Sequence, residues 1–375
     1  MPFPGPHFMA WAKRLNHDVK YDLFSSGLRC QLSDSELGVG LDTIKLQGDG
    51  DYFYGYMPLR ELLAQKYGVH PDQVMTSQGS SSANFLIAAA IFESPGGQAV
   101  VESPCYQPLL GAIQGAGAKI KRLERRFQDR YEIDLHQIHS VWNPNIRLIV
   151  ITRLHNPSGV DIPVAMLREL NDFAAAHDAW VLVDEVFLDF LDNPIPAASI
   201  GERLISTASV TKVYGMGDLR FGWGVGDAAI IRRAREINDY ISVHNPFISE
   251  YLGYRILSSA TVTAAMRQRI KARVSENRSI LDEWLTSMPE WEWVMPDGGI
   301  IFFPKVGDRD SGDRLAENLL ANWDIAVTPG GFFEHPAHIR LGFGIEPNLL
   351  RAGLEHVRNA CHEANQAAYS AAKGL

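Results

Sequence analysis

Lys212 stands in Ser209-Val210-Thr211-Lys212-Val213-Tyr214-Gly215, with Gly217-Asp218-Leu219-Arg220-Phe221-Gly222-Trp223 close behind. The lysine follows an apolar, β-like run from Arg203 to Val210 and enters a Gly-rich turn. An ammonium group there is badly placed for solvent. A lysine held in such a place does chemistry through its amine, as a Schiff-base former with a carbonyl compound. Ser209 adds a hydroxyl and Arg220 a guanidinium, and both suit an anion, most simply a phosphate. Amine plus phosphate site points to pyridoxal phosphate.

Other candidates sit where apolar runs end. Asp184 closes Trp180-Val181-Leu182-Val183, and a carboxylate there can keep a pyridinium nitrogen protonated. Taken alone, it reads equally as a capping or surface acid. Asn156 lies in Leu154-His155-Asn156-Pro157-Ser158-Gly159, a tight turn whose amide could donate to a ring oxygen. Ser80 and Ser81, in Gln78-Gly79-Ser80-Ser81-Ser82-Ala83, open a helix, where free N–H groups and hydroxyls bind anions or merely cap. Tyr106 follows Glu102-Ser103-Pro104-Cys105 and could stack on a heteroaromatic ring or sit half-buried in a core. Arg340, inside Ile339-Arg340-Leu341, needs an anionic partner, either a substrate carboxylate or a structural ion pair.

The elements that must position these residues alternate from about Val74. Helical patterns at Ser81 to Ala90, Leu109 to Gly117 and Val164 to His177 separate strand patterns at Gln98 to Glu102, Ala118 to Leu123, Arg147 to Thr152 and Trp180 to Glu185. The last two are apolar without alternation, hence buried on both faces. This rhythm predicts an α/β fold: a doubly wound, mainly parallel sheet with functional groups beyond the carboxyl ends of its strands. Later come long helices over Ala228 to Ile241 and Ala260 to Met288, then strands at Gly299 to Lys305, Ile325 to Thr328 and Ile339 to Phe343. A closing helix starts at Glu346. The expected division is a large domain over residues 46–258 and a small α+β domain over 259–375, with the segment 1–45 packed on the small one.

Bulk properties set limits. A chain of 375 residues with 46% hydrophobic and 21% charged residues reads as globular and too long for one simple core. Net charge −9 argues against nucleic acid or an anionic membrane as main partner. The three cysteines (Cys30, Cys105 and Cys361) have neither metal nor disulfide spacing, which predicts a reducing, cytoplasmic setting. No run reaches membrane-spanning length, and no leader pattern opens the sequence.

Taken in order, these motifs resemble fold-type I enzymes of the class I/II aminotransferase superfamily. The signatures are Tyr52…Gly55-Tyr56-Met57-Pro58-Leu59-Arg60, Gly79-Ser80-Ser81, Ser103-Pro104-Cys105-Tyr106, Asn156-Pro157-Ser158-Gly159, Asp184-Glu185-Val186-Phe187, Ser209 to Lys212 with Arg220, and Arg340. The resemblance implies pyridoxal phosphate bound covalently by Lys212, which also shuttles the substrate's α-proton. It implies that Asp184 holds the ring nitrogen, Asn156 the ring oxygen and Tyr106 a ring face. Ser80, Ser81, Ser209 and Arg220 would bind the phosphate, and Arg340 the α-carboxylate. It also implies a homodimer with shared sites, in which Tyr52, or its rival Tyr54, reaches the partner's phosphate. A cis bond at Asn156–Pro157 is a further implication.

Phe187 departs from the pattern, because the family usually has a tyrosine there to bond the ring oxygen. Its loss leaves Asn156 as the main donor and predicts a bound lysine that keeps its proton to higher pH. Capreomycidine synthase-like and phosphothreonine decarboxylase-like members are similar around this segment. The expected activity is therefore transamination of an L-amino acid, with elimination or replacement, cyclisation or decarboxylation as the alternative. A non-catalytic regulator on the same fold is a third reading, disfavoured by the complete Lys/Asp/Arg set. Ser26, Gly27, Leu28 and Arg29 correspond to the family's substrate-facing segment, with Gly27 and Asn156 as substrate contacts and Arg29 a possible second anion site. His244 and Asn245 are weaker candidates near the expected interface.

Overall fold

The computed structural model describes residues 3–15, 19–38, 52–94 and 96–373. Of the N-terminal stretch to residue 45, positions 1–2, 16–18 and 39–45 lie outside the described residues. The chain opens with α1 (His7–Leu15), β1 (Tyr21–Leu23), α2 (Asp34–Leu37) and α3 (Met57–Tyr67). Alternating elements follow: β2 (Val74–Ser77), α4 (Ser80–Ile91), β3 (Gln98–Ser103), α5 (Gln107–Gly115), β4 (Lys119–Glu124), α6 (Leu135–Val141), β5 (Ile146–Thr152), α7 (Val164–Ala176) and β6 (Trp180–Asp184). Then come β7 (Leu204–Ser209), β8 (Gly222–Val225), α8 (Ala228–Asp239), α9 (Phe247–Leu257) and α10 (Ala260–Leu285). The last elements are β9 (Ile301–Phe302), α11 (Ser311–Trp323), β10 (Ile325–Pro329), β11 (Ile339–Gly342) and α12 (Pro347–Lys373).

A seven-stranded sheet has the order β2-β8-β7-β6-β5-β3-β4. All its pairings are parallel except the two made by β8. Successive strand residues feed opposite cores, as the pleat requires. Val101, Leu148, Val150 and Leu182 pack in the cluster containing Leu86 of α4 and Ile231 of α8. Val100, Ile149, Ile151, Val181 and Val183 pack with Leu167 and Leu170 of α7 on the other side. Burial on both faces explains the runs without alternation. The register brings Ser77, Ser209 and Gly222 level, and pairs Thr152 with Asp184 and Asp184 with Thr207. Polar residues therefore gather at one edge of an apolar sheet.

A second sheet has the order β1-β10-β11-β9, with Tyr21–Leu23 running parallel to Ile325–Val327. The strand expected over Gly299 to Lys305 shrinks to Ile301–Phe302. Pro304 has no N–H for a ladder, and Lys305 makes only isolated bridges, to Glu292 and His338. No helix among the described residues is long and apolar enough to cross a membrane.

β8 packs directly against the start of α4. A Cβ on Gly222 would lie 2.5 Å from the carbonyl carbon of Gly79 and 2.7 Å from the Ser80 nitrogen. Backbone cannot yield as a side chain can, so Gly222→Ala should destabilise the fold by about 1–3 kcal/mol. A lowered midpoint of chemical unfolding checks this.

Candidate active site

Lys212 lies in the turn between β7 and β8, half-buried, and its Nζ donates to Ser26 Oγ at 3.1 Å. Leu28 N–H bonds the Lys212 carbonyl at 2.8 Å, and a Cβ on Gly27 would lie 3.3 Å from Lys212 Cδ. The segment around Gly27 is thus threaded against the lysine, where any side chain would crowd it. Gly215, at φ 70°, lets this turn pass over Arg29 and Cys30. Burial draws the amine's pKa down to about 8, Arg340 and Arg220 push the same way, and Asp184 opposes them. Arg29 itself is exposed and does not line the cavity.

Asp184, at the end of β6, is buried, and burial raises its carboxyl above the usual range. It accepts from Asn84 Nδ2 at 2.8 Å and from Val186 N–H at 3.1 Å. The first turn of α4 supplies Ser80 and Ser81, and its N-cap Gly79 makes no side-chain cap, so N–H groups there stay open. Arg220, at φ 47°, crosses this turn, donating to Gln78 O at 3.1 Å and Gly217 O at 3.3 Å. A Cβ on Gly79 would meet Arg220 Nη2 at 2.5 Å, so glycine is what lets the guanidinium cradle the helix end. Among the described residues no carboxylate pairs with Arg220. Ser209 Oγ accepts from Thr211 N–H at 3.3 Å beside it.

Asn156 follows β5, and its Oδ1 accepts from Arg340 Nη1 at 2.9 Å. That bond fixes the amide with its NH2 group as the free end. The turn reverses through Gly159 at φ 73°, and Asn156–Pro157 is trans; among the described residues the cis X–Pro bond is Ser103–Pro104. Arg340 Nη2 bonds Phe24 O at 3.0 Å and Thr328 Oγ at 3.3 Å, while its Nε is buried without a partner. No carboxylate pairs with it among the described residues, and burial lowers its pKa to about 10. Phe8 and Phe333 cover the guanidinium at 5.7 and 5.1 Å from their ring centroids. Arg340 therefore stands behind Asn156 rather than on the cavity wall.

Tyr106 lies on the wall and donates to Met9 Sδ at 3.4 Å; burial pushes its hydroxyl up to about 12. Phe187 is buried against Leu154 and Ile301 and also faces the cavity. Tyr52 stays outside the cavity, stacked on Phe53 with 5.0 Å between ring centroids, and Tyr54 is exposed nearby. The His244 ring bonds the Asn245 carbonyl, and the Asn245 amide bonds Thr76 and Glu250; neither residue lines the cavity.

Sequence reasoning missed Asn84, Met9 and a buried network under the floor. There Glu102 takes Arg125 Nη1 at 2.8 Å and Thr152 N–H at 2.7 Å. His155 bonds Pro104 O at 2.9 Å and Ser158 Oγ at 2.7 Å, tying the Tyr106 loop to the Asn156 loop. Burial holds His155 neutral, well below its ordinary range. The signal available was a glutamate and a histidine embedded in apolar runs.

The cavity measures about 360 Å³ and fits pyridoxal phosphate on its donor set. It offers one buried carboxylate for a ring nitrogen, a free amide for a ring oxygen, and an uncapped helix end with an unpaired arginine for a phosphate. A family model described as aminotransferase class I and II matches residues 46–357. The chain belongs to this family. Class I and II aminotransferases are pyridoxal phosphate enzymes of fold type I, and the same holds here. The chain is 29% identical to capreomycidine synthase of Streptomyces vinaceus, over 94% of its own length and 92% of that protein's. It is 26% identical to an arginine–pyruvate transaminase of Pseudomonas aeruginosa, over 82% and 79% of the two chains. A PLP-dependent aminotransferase from Streptococcus suis superposes with a TM-score of 0.86 at 23% identity, covering 97% and 99% of the two chains.

An amine must be neutral to attack. With a pKa near 8, Lys212 is mostly protonated below that pH and free above it. Selective acylation of Lys212 in the apoprotein should therefore rise through about pH 8 and level off. Asp184→Asn, which removes the charge that opposes the fall, should move the midpoint lower; mass spectrometry of the acylated peptide reads both.

Proposed function

We propose that this protein is a homodimeric cytoplasmic aminotransferase acting on an L-amino acid with an apolar side chain. The observation that carries the reading is Arg340: a buried guanidinium with no carboxylate partner, one hydrogen bond from an amide on the wall of the Lys212 cavity. A substrate α-carboxylate supplies the missing anion. Bound pyridoxal phosphate withdraws electrons from the substrate's α-carbon and loosens the bonds to it. Asp184 would hold the ring nitrogen; Ser80, Ser81, Ser209 and Arg220 would hold the phosphate; the free Nδ2 of Asn156 would donate to the ring oxygen; Tyr106 would cover a ring face. Lys212, with its lowered pKa, takes a proton from the α-carbon and returns one.

The side-chain preference follows from the lining. Asp184 is the one carboxylate on the cavity wall among the described residues, and Lys212 and Arg220 are the cations there. Beyond the wall, α1 brings Phe8 against Tyr106 at 5.3 Å and Phe332 at 5.5 Å, and Trp11 against Phe24 at 5.5 Å. This cover suits an aromatic or large aliphatic group.

The dimer reading rests on Phe53, Tyr54, Tyr240, Ile241 and Val243, all exposed apolar residues. Ser242 in the second group bonds Gln78, next to the phosphate end. Tyr52 or Tyr54 would reach the phosphate of a second copy. We take residues 46–258 as the large domain and 259–375, with 1–45 against it, as the small one. The pairing of β1 with β10 supports this, and the free cysteines support the cytoplasm.

An amino-acid panel tests the activity. Apolar amino acids should yield keto acids and pyridoxamine phosphate; ammonia, carbon dioxide or a cyclised product with pyridoxal phosphate retained would replace transamination with the other chemistry. Arg340→Leu should lower kcat/KM for every substrate by about 100-fold with the cofactor still bound, and should shift the cofactor's absorbance, because Asn156 loses the donor that orients its amide. Of Tyr52→Phe and Tyr54→Phe, the one that reaches the partner should weaken cofactor binding about tenfold at unchanged oligomeric state, read by equilibrium titration.

A further inference from the structure

Asp184 has an electrostatic difficulty. Its carboxylate is buried, and among the described residues no cation lies within ion-pair distance of it. Burial favours the neutral acid. A neutral acid would not keep a ring nitrogen protonated, so something in the chain must favour the charged form.

Two donors do so: the Val186 N–H on Oδ1 and the Asn84 amide on Oδ2. Asn84 is itself 2% exposed, and its amide cannot turn freely. Thr207 donates its hydroxyl to Asn84 Oδ1 at 2.6 Å, which leaves the NH2 end facing Asp184. A flipped amide would set its oxygen against the Asp184 carboxylate, two acceptors facing each other. The three residues come from three elements. Thr207 sits beside Asp184 in the parallel β6–β7 register, and Asn84 lies one helical turn after Ser80 on α4. One face of one helix thus reaches both the phosphate end and the acid of the cavity.

We propose that Asn84, oriented by Thr207, is a positioning residue that keeps Asp184 ionised and aimed at the ring nitrogen. The inference rests on the assignment of this cavity to pyridoxal phosphate. The other titratable groups facing Asp184 are Lys212 from beyond β7, and Tyr106 and Cys105 from beyond β3; α4 itself brings none.

The test uses the apoprotein, pyridoxal phosphate and the variants Asn84→Leu, Thr207→Val and their double variant, with Thr207→Ser and Asp184→Asn as controls. Removing the Asn84 donor raises the pH at which Asp184 gains its proton. Cofactor binding by Asn84→Leu should therefore weaken about tenfold near neutrality and recover as pH rises, shifting the acid limb of the binding profile upward. Thr207→Val should shift it the same way by less, and Thr207→Ser should restore it. The double variant should be no worse than Asn84→Leu, because Thr207 acts through the amide. Infrared spectra of the apoprotein should show a protonated carboxyl in Asn84→Leu that Asp184→Asn abolishes. Equal weakening at every pH, or additive effects of the two substitutions, overturns the proposal. If Asn84→Leu does not fold, the Thr207 pair decides it by the same shift. A wild-type apoprotein that fails to bind pyridoxal phosphate overturns the cavity assignment as well, and is distinct because no variant is then needed.

Discussion

Lys212, Arg220 and Arg340 gather around a site whose only wall carboxylate among the described residues is Asp184. That imbalance is costly in a desolvated place, because buried cations need anions. Its effects appear in the lowered pKa of Lys212, where the two arginines add to burial, in the bare Nε of Arg340, and in the Arg220 guanidinium resting on backbone carbonyls. A phosphate and a carboxylate would remove the imbalance, one at each end. The same surroundings serve the chemistry, since burial, helped by repulsion from two arginines, brings the lysine amine's pKa down to about 8 and frees a larger share of it than an ordinary lysine offers.

The sheet makes this concentration of charge possible. Its parallel strands bury their apolar residues on both faces and set Thr152, Asp184 and Thr207 level at the carboxyl edge. The single antiparallel strand, β8, closes the arrangement by bringing Gly222 against the start of α4. No side chain fits between them, so the phosphate end of the helix is fixed by backbone contact. The β7–β8 hairpin carries both the lysine turn and the Arg220 crossing, and its second strand seats them against the α4 N-terminus.

How much of this was legible depended on the range of the signal. Continuous apolar runs such as Leu148 to Ile151 and Val181 to Val183 announce a doubly covered strand by themselves, and Lys212, Asp184 and Arg340 stood out as charges inside or at the end of such runs. β8 did not, because Gly222-Trp223-Gly224-Val225 has too little β-forming side chain to read as a strand. Its place is dictated by β2 and β7, far away in sequence. Asn84 was invisible for a similar reason. An asparagine within Ala83-Asn84-Phe85-Leu86 has no local partner, and its role exists only once Asp184 and Thr207 are folded beside it. The expected strand at Gly299 failed on a signal that was present, Pro304.

Phe187 brings the two ends of the argument together. Its ring fills the position of a donor with apolar contact to Leu154 and Ile301, so the floor there offers packing and no hydrogen bond. A ring oxygen on that side would depend on the Asn156 amide, and that amide is oriented by Arg340 Nη1. A substrate carboxylate drawn to Arg340 competes with Asn156 Oδ1 for the same guanidinium. In this chain a grip on substrate by Arg340 and a hydrogen bond from Asn156 to the cofactor's oxygen would therefore not be independent. They share one side chain, and a phenolic hydroxyl at position 187 would have separated them.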